Sequence, residues 1–298
     1  MHKILEKYFP FTYKYFYHIL IAVVAIVLID KFYRWLSGRT ARSETQTFSV
    51  SDKSTDPSEK AEEELPEEDQ EEPALPKDLR HIPYHYVRLP ERDMLIRASE
   101  FYKIVSARRT LRFFSEEPVP KDIIREIIRA AGTAPSGAHT EPWTFVVVSN
   151  QDVKMKIRNI VEQEEEVNYK KRMGLKWTTD LSPLRTNWIK EYLTTVPYLI
   201  LVFKQTYSIL PNGKKKIHYY HEISVSIACG ILITAIQYAG LMTLTSTPLN
   251  CGPAIRSLLN RPSNEKLVLL LPVGYPAKDA TIPDLHRKSL SEILVEID

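Results

Sequence analysis

The sequence predicts one globular domain built on a central β-sheet covered by helices, tethered through an acidic linker to a membrane-spanning helix. Three observations predict it: a charge-free apolar run near the N-terminus, a Pro- and Glu-rich stretch after it, and alternating helix-type and strand-type segments from about Tyr84 onward. At 298 residues the chain is long enough for one sizeable core plus an anchor, and short for two enzymatic domains.

The anchor comes first. From Tyr15 to Ile29 there is no Asp, Glu, Lys or Arg, and Ile19 to Ile29 is wholly apolar. The span reaches the roughly 20 residues of a membrane helix by adding Tyr13, Tyr15, Phe16 and Tyr17 on one side and Phe32, Tyr33 and Trp35 on the other, aromatics that suit the two interfaces. A cleaved signal peptide is the other reading of such a run, but small residues should follow it where Asp30-Lys31-Phe32-Tyr33-Arg34-Trp35 stand. Lys31, Arg34, Arg39 and Arg42 follow the run while Lys3, Lys7 and Lys14 precede it, which leans toward a single-pass membrane protein with its C-terminal side in the cytosol.

Pro57 to Glu72 hold nine acids against one base and cannot fold on themselves, so this stretch reads as a solvated spacer, an acidic docking site being the alternative. The expected division is an N-terminal segment over 1–14 with no assigned role, an anchor over 15–36, a disordered linker over 37–80 and a catalytic domain over 81–298. Residues 1–80 carry a formal charge of −4, which leaves +7 on residues 81–298. A basic core suits an anionic ligand. Nothing in the sequence points to nucleic acid.

Within the domain, Ile123, Ile124, Ile127, Ile128 and Ala131 recur at helical spacing, and Thr144 to Val148 is a short β-rich run. Helices are expected from Gln151 to about Lys171 and around Trp188 to Leu193, before a strand over Tyr198 to Phe203. A long apolar helix from Tyr219 to Ala239 leads into a strand over Leu241 to Thr245, and the last strand covers Leu267 to Val273. Such runs are too apolar for an exposed sheet face.

Several chemistries are excluded. Cys229 and Cys251 are too few for a disulfide framework and lack zinc spacing, which favours a reducing compartment, and Cys229 reads as a small buried hydrophobe. The nine glycines never fall as GxG, so neither a dinucleotide fingerprint nor a phosphate-binding P-loop is present. His218-x-x-His221-Glu222 lacks the order and the third ligand of a metal site, and no metal is expected.

Two constellations remain. Arg108-Arg109-Thr110-Leu111-Arg112 follows a helix and offers three guanidiniums and a hydroxyl, donors that bind phosphate oxygens bidentately; spacing alone reads it equally as a solvated basic turn. Ala134 to Trp143 is a loop fixed by Pro135 and Pro142, in which Gly137 permits close backbone approach; by itself it is also readable as a plain connection.

Together these segments resemble the nitroreductase superfamily, flavin enzymes with an arginine and serine signature and a Pro-Ser-Gly loop about thirty residues later. Glu164 to Gly174, Leu184 to Leu193, Thr247 to Pro253 and Leu271 to Pro276 are similar to its iodotyrosine-deiodinating branch, which general nitroreductases are not. The resemblance covers residues 80–298. It implies an α+β fold with a central mixed sheet flanked by helices, a domain-swapped homodimer whose C-terminal stretch crosses its partner, and FMN bound between subunits. It implies reductive removal of iodide from free mono- and diiodotyrosine, iodide salvage, with NADPH as ultimate donor through a separate reductase.

By that resemblance Arg108, Arg109, Thr110, Leu111 and Arg112 hold the FMN phosphate and ribityl side with Arg287, although family members usually carry serine where Thr110 stands. Ser136 and Gly137 contact the flavin, and Thr245, Ser246 and Thr247 approach its ring edge. A Thr247 hydroxyl donating to flavin N5 opens one-electron steps. Glu165 takes the substrate ammonium, Tyr169 and Lys190 its carboxylate, and the Ala138 amide its phenolate; the segment bearing Glu165 closes as a lid. Without the resemblance, most glutamates from Glu162 to Glu166 read as a solvated helix face. The rival readings are a generic nitro- or quinone-reducing flavoenzyme, which needs no Glu165, Tyr169 and Lys190 set, and a silent binding protein without flavin.

Overall fold

The computed structural model describes residues 75–210 and 213–297. The expected N-terminal segment, the anchor and the linker up to residue 74 lie outside the described residues.

In chain order the described residues form α1 (Glu91–Ser106), α2 (Lys121–Ala131), β1 (Trp143–Val148), α3 (Gln151–Val167), α4 (Leu175–Leu181), α5 (Tyr192–Thr195), β2 (Tyr198–Gln205), β3 (Tyr207–Ile209), β4 (Lys215–Ile217), α6 (His221–Tyr238), β5 (Met242–Thr243), α7 (Gly252–Leu258), β6 (Glu265–Gly274) and α8 (Leu290–Ile293). β1, β2, β6 and β5 lie side by side in that order, each pair antiparallel, while an isolated Thr110–Thr243 bridge adds a parallel partner at the β5 edge. β3 and β4 form a separate hairpin.

The apolar runs are buried because both sheet faces are covered. Successive strand residues point to opposite faces, and along β2 they divide accordingly. Leu199, Leu201 and Phe203 pack with Ile157 and Val161 of α3 and Ile255 of α7. Ile200 and Val202 pack with Ile124 and Ile127 of α2 and Val225, Leu232 and Ile236 of α6. All five β2 residues are fully buried, each contributing about 1.5–3 kcal/mol of apolar transfer. α6 is long and apolar enough to cross a membrane by length and composition, yet its buried side belongs to the core.

Boundaries moved where local chemistry overrode periodicity. α3 ends at Val167 and continues as a wider turn over Asn168–Arg172, in which Met173 N–H donates to Asn168 O five residues back. α6 begins at His221 because Tyr220 takes a left-handed φ of 50°. β5 is reduced to two residues, preceded by Gly240 at φ 78°. The helix expected around Trp188–Leu193 is a correction: only Tyr192–Thr195 is helical. Asn187 Oδ1 accepts from Ile189 N–H at 2.8 Å and Glu162 Oε1 from Lys190 N–H at 2.6 Å, so side chains satisfy donors that a helix would have used.

Candidate functional site

At the β5 edge of the sheet the basic segment after α1 is held in place from three sides. Leu111 N–H donates to Thr243 O at 3.3 Å, and Arg287 from the C-terminal stretch donates to Ser106 O at 2.9 Å and to Arg108 O at 2.8 Å. Arg109 donates to Pro283 O. Burial lowers the pKa of Arg108, and the like charges of Arg287 and Arg109 lower it further. The influences on Arg108 are burial and like charge, both of which an anion beside it would relieve. Thr110 and Arg112 line a cavity of about 210 Å³ with Arg185 and Thr281. Thr245, Ser246 and Thr247 run on from β5, where Ser246 exchanges both backbone hydrogen bonds with Leu270 of β6.

A second cluster is built on the end of α3. Glu165 Oε2 lies 3.9 Å from Lys190 Nζ, and Glu165 Oε1 accepts from Asn168 Nδ2 at 3.1 Å. The Lys190 ammonium sits 5.6 Å from the Tyr169 ring centroid and donates to Asn187 O. Tyr169 packs edge-on against Trp188 with ring centroids 6.1 Å apart. Tyr169 lies in the widened turn, a device often found at functional sites.

Lys190 and Glu165 side chains are only 8% and 13% exposed, so this is a sequestered pair. Burial lowers the Lys190 pKa, Glu165 opposes that shift, and Arg112 reinforces it. Burial raises the Tyr169 phenol, a hydrogen bond with Thr186 and the charge on Arg112 acting against it. Arg112, which lines the cavity with Thr110, is thus near enough to Lys190 and Tyr169 for its charge to act on both.

The Ala134–Trp143 loop carries the strongest backbone strain among the described residues. Ala138, His139 and Glu141 take left-handed φ values of 47°, 52° and 45°, conformations costing non-glycine residues about 1–3 kcal/mol each. Ser136 Oγ accepts from Glu141 N–H at 3.0 Å. Gly137 N–H donates to Ser224 Oγ of α6 at 3.4 Å, and a Cβ added at Gly137 would lie 2.9 Å from Tyr219 O. Only glycine allows this backbone to seat against the turn before α6.

Within one chain the residues singled out from sequence are therefore brought together in two of three groups. The cation cluster and the Glu165, Tyr169 and Lys190 cluster adjoin through Arg112. The Ala138 loop does not join them: it enters β1 at Trp143, which pairs with Lys204 beside Lys266, whereas Thr110 bridges Thr243, which pairs with Val273. Lys266 and Val273 are seven residues apart on β6, about 23 Å at ~3.3 Å per residue.

Sequence reasoning also missed residues. The glutamate run divides: Glu162, bonded to Lys190 N–H and Arg158, lies with Glu165 on the sheltered side, while Glu164 and Glu166 pair with Arg172 and Lys170 on the solvated side. The basic residues that partner them follow at helical spacing, Arg158 four before Glu162 and Lys170 four after Glu166, and that spacing was the available signal. His218 is committed to its hairpin, Nε2 lying 2.7 Å from Ser208 Oγ and Nδ1 3.2 Å from Gln205 O.

Comparison with known proteins places the chain in a family. The nitroreductase family model matches residues 105–275. An iodotyrosine deiodinase of Danio rerio is 65% identical over 219 residues, 74% of each chain, and iodotyrosine deiodinase 1 of Mus musculus is 54% identical over 282 residues, 94% of this chain and 98% of the mouse protein. A crystal structure of oxidized iodotyrosine deiodinase bound to FMN and 3-iodo-L-tyrosine superposes with a TM-score of 0.58 at 30% identity, covering 66% of this chain and 98% of that one. A cation cluster beside a sequestered acid, phenol and ammonium, on a sheet of this topology and at this identity to its relatives, makes the chain a member of the nitroreductase family and, within it, of the iodotyrosine deiodinases.

Proposed function

We propose that this protein is an FMN-dependent oxidoreductase that reductively removes iodide from free 3-iodotyrosine and 3,5-diiodotyrosine. The observation that carries the reading is the Glu165–Lys190 pair, 3.9 Å apart and sequestered beside Tyr169. A zwitterionic amino acid matches it charge for charge: its ammonium takes Glu165 and its carboxylate takes Lys190 and Tyr169. Burial holds the Lys190 pKa below its usual range, so its ammonium is under-compensated and gains from an incoming carboxylate.

The cation cluster fits the FMN phosphate. Arg108, Arg109, Arg112 and Arg287, with the Thr110 hydroxyl and the Leu111 backbone, would hold the phosphate and ribityl side; Ser136, Gly137, Thr245, Ser246 and Thr247 would flank the ring. FMN, when reduced, supplies the two electrons and a proton that convert the carbon–iodine bond into carbon–hydrogen and iodide. The chain's own part is binding, orientation and water exclusion. The Ala138 amide donates to the phenolate, steadying charge on the ring that loses iodide, and the Thr247 hydroxyl donates to the ring edge of the cofactor. The segment around residues 160–180 acts as the lid, less protease-sensitive once iodotyrosine is bound.

The site is proposed to form between two copies of the chain. Its loop lies at the sheet end remote from the cation cluster, and a second subunit is the means of bringing it near. α1 has no buried residue and exposes Met94, Leu95, Ile96, Phe101 and Tyr102, while α6 exposes Ile223, Ile227 and Tyr238. Apolar surface of that extent on adjacent helices marks an interface. Leu290, Ile293, Leu294 and Val295 are exposed in the C-terminal stretch, as suits a segment crossing to a partner. Electrons are proposed to come from NADPH through a separate reductase, since the sequence has no nucleotide fingerprint, and the chain to be anchored by its N-terminal helix as a single-pass membrane protein with the domain in the cytosol.

The test uses the full chain in detergent: record its visible spectrum, reduce with dithionite, and titrate diiodotyrosine while following flavin fluorescence and iodide release. Bound FMN, quenching on titration and stoichiometric iodide are expected. Flavin without iodide release would move the chain to the generic reductases.

A further inference from the structure

Along α3 and the turn after it, Lys154, Arg158, Glu162, Glu165 and Tyr169 follow one another by four, four, three and four residues, which places them on one helical face. That face meets the stretch 186–196 along its whole length. Lys154 Nζ donates to Val196 O at 2.6 Å, and Arg158 Nη1 to Thr194 Oγ1 at 3.1 Å. Glu162 Oε1 accepts from Lys190 N–H at 2.6 Å and from Arg158 Nε at 2.8 Å. Glu165 then meets the Lys190 ammonium itself.

Glu162 is therefore the point at which a structural stripe becomes a binding stripe. Its side chain is 23% exposed, and the Oε1 atom that Arg158 neutralises is the one that takes the Lys190 amide. The other hydrogen bonds of this main chain are local, Ile189 N–H to Asn187 Oδ1 and Leu193 N–H to Lys190 O, whereas Lys190 N–H has Glu162 of α3 as its acceptor, which ties the stretch to the helix.

We infer that Glu162 is a positioning residue for substrate recognition: it pins the Lys190 main chain to the helix bearing Glu165 and Tyr169 and so sets the separation of the ammonium and carboxylate subsites. The inference rests on the role proposed above for Lys190. Glu162 acts through Lys190, its Oε1 being shared between the Arg158 guanidinium and the Lys190 amide. Truncating it leaves the Lys190 side chain intact but frees its backbone, so affinity falls while chemistry on bound substrate persists.

The experiment measures diiodotyrosine Kd by flavin fluorescence, FMN content, and kcat and KM for iodide release, on the full chain carrying Glu162→Ala, Glu162→Gln, Lys190→Ala or the Glu162→Ala/Lys190→Ala pair. Glu162→Ala is expected to weaken Kd and raise KM roughly tenfold, with kcat and FMN content near wild type. Glu162→Gln, which keeps the acceptor oxygen, restores most of the affinity. In the double variant the two losses do not add, because freeing the Lys190 backbone matters only while its ammonium is there. Where the alanine variant does not fold, Glu162→Met keeps the side-chain length and removes the acceptor. Unchanged affinity in Glu162→Ala beside weakened affinity in Lys190→Ala overturns the inference, as do parallel losses of FMN and substrate or fully additive losses in the pair. Unchanged affinity in Lys190→Ala overturns the proposed role of Lys190 instead.

Discussion

The two ends of the central sheet differ in what builds them. Beside the C-terminal half of β6 stand the arginines, with Glu165, Tyr169 and Lys190 next to them through Arg112. Beside its N-terminal half, where β1 starts, stands a loop with three left-handed non-glycine residues and a glycine seated against Tyr219. The first end is rich in charge and built by side chains; the second is built by backbone. Left-handed backbone marks the one place and like charges crowd the other, and about 23 Å along β6 separates them within a chain.

The largest effect should come from the charged end. Replacing Arg108 and Arg109 together by alanine should yield colourless protein that releases no iodide, while its helix content stays unchanged by circular dichroism; retained flavin would remove the cluster from the cofactor site. Next, Glu165→Gln or Lys190→Ala should leave the yellow colour and weaken diiodotyrosine binding on the order of 10- to 100-fold, the range for one partner of a sequestered charge pair. Affinity should also fall with rising pH as the Lys190 ammonium is lost. Its pKa is lowered from 10.5, so its inflection in a plot of Kd against pH should lie below that value, and Lys190→Arg should remove that part of the fall and leave the part set by the substrate's own ammonium.

The comparison between the ends is tested most sharply by complementation. Gly137→Ala forces a Cβ within 2.9 Å of Tyr219 O and disables the loop end; Lys190→Ala disables the charged end. If each site takes one end from each subunit, co-expressing the two variants should restore about a quarter of wild-type iodide release, since half the dimers are mixed and each has one intact site. Sites complete within one chain would give no rescue. The smallest effect concerns the thiols. Burial raises Cys229 to about 11 and Cys251 to about 12, the latter helped by Glu165 and Glu164, so neither should react with a disulfide reagent at pH 8 until the protein is unfolded.

What the sequence made legible follows from how each residue gets its role. β2 and β6 were readable because a strand buried on both faces must be apolar at every position, and α2 because its isoleucines recur at helical spacing. The cation segment and the Glu165, Tyr169 and Lys190 set were legible only through resemblance, because charge spacing cannot distinguish a site from a solvated surface. The helix expected around Trp188–Leu193 starts only at Tyr192 because the hydrogen-bond partners of Ile189 and Lys190 lie before it, Asn187 and Glu162, the latter 28 residues before Lys190. The left-handed Ala138 was invisible, since alanine announces no backbone conformation of its own. The hairpin β3 and β4 was too short and polar to show periodicity.

The arginine that closes the cation cluster arrives from far along the chain: Arg287 binds Ser106 O across 181 residues. At ribosomal speeds of about 5–20 residues per second, roughly 10 to 40 s pass between synthesis of those two positions. During that interval the sheet strands have been made and the cluster is still missing one of its cations. A nascent chain that lacks residue 287 therefore presents Ser106 O and Arg108 O without the guanidinium that satisfies them.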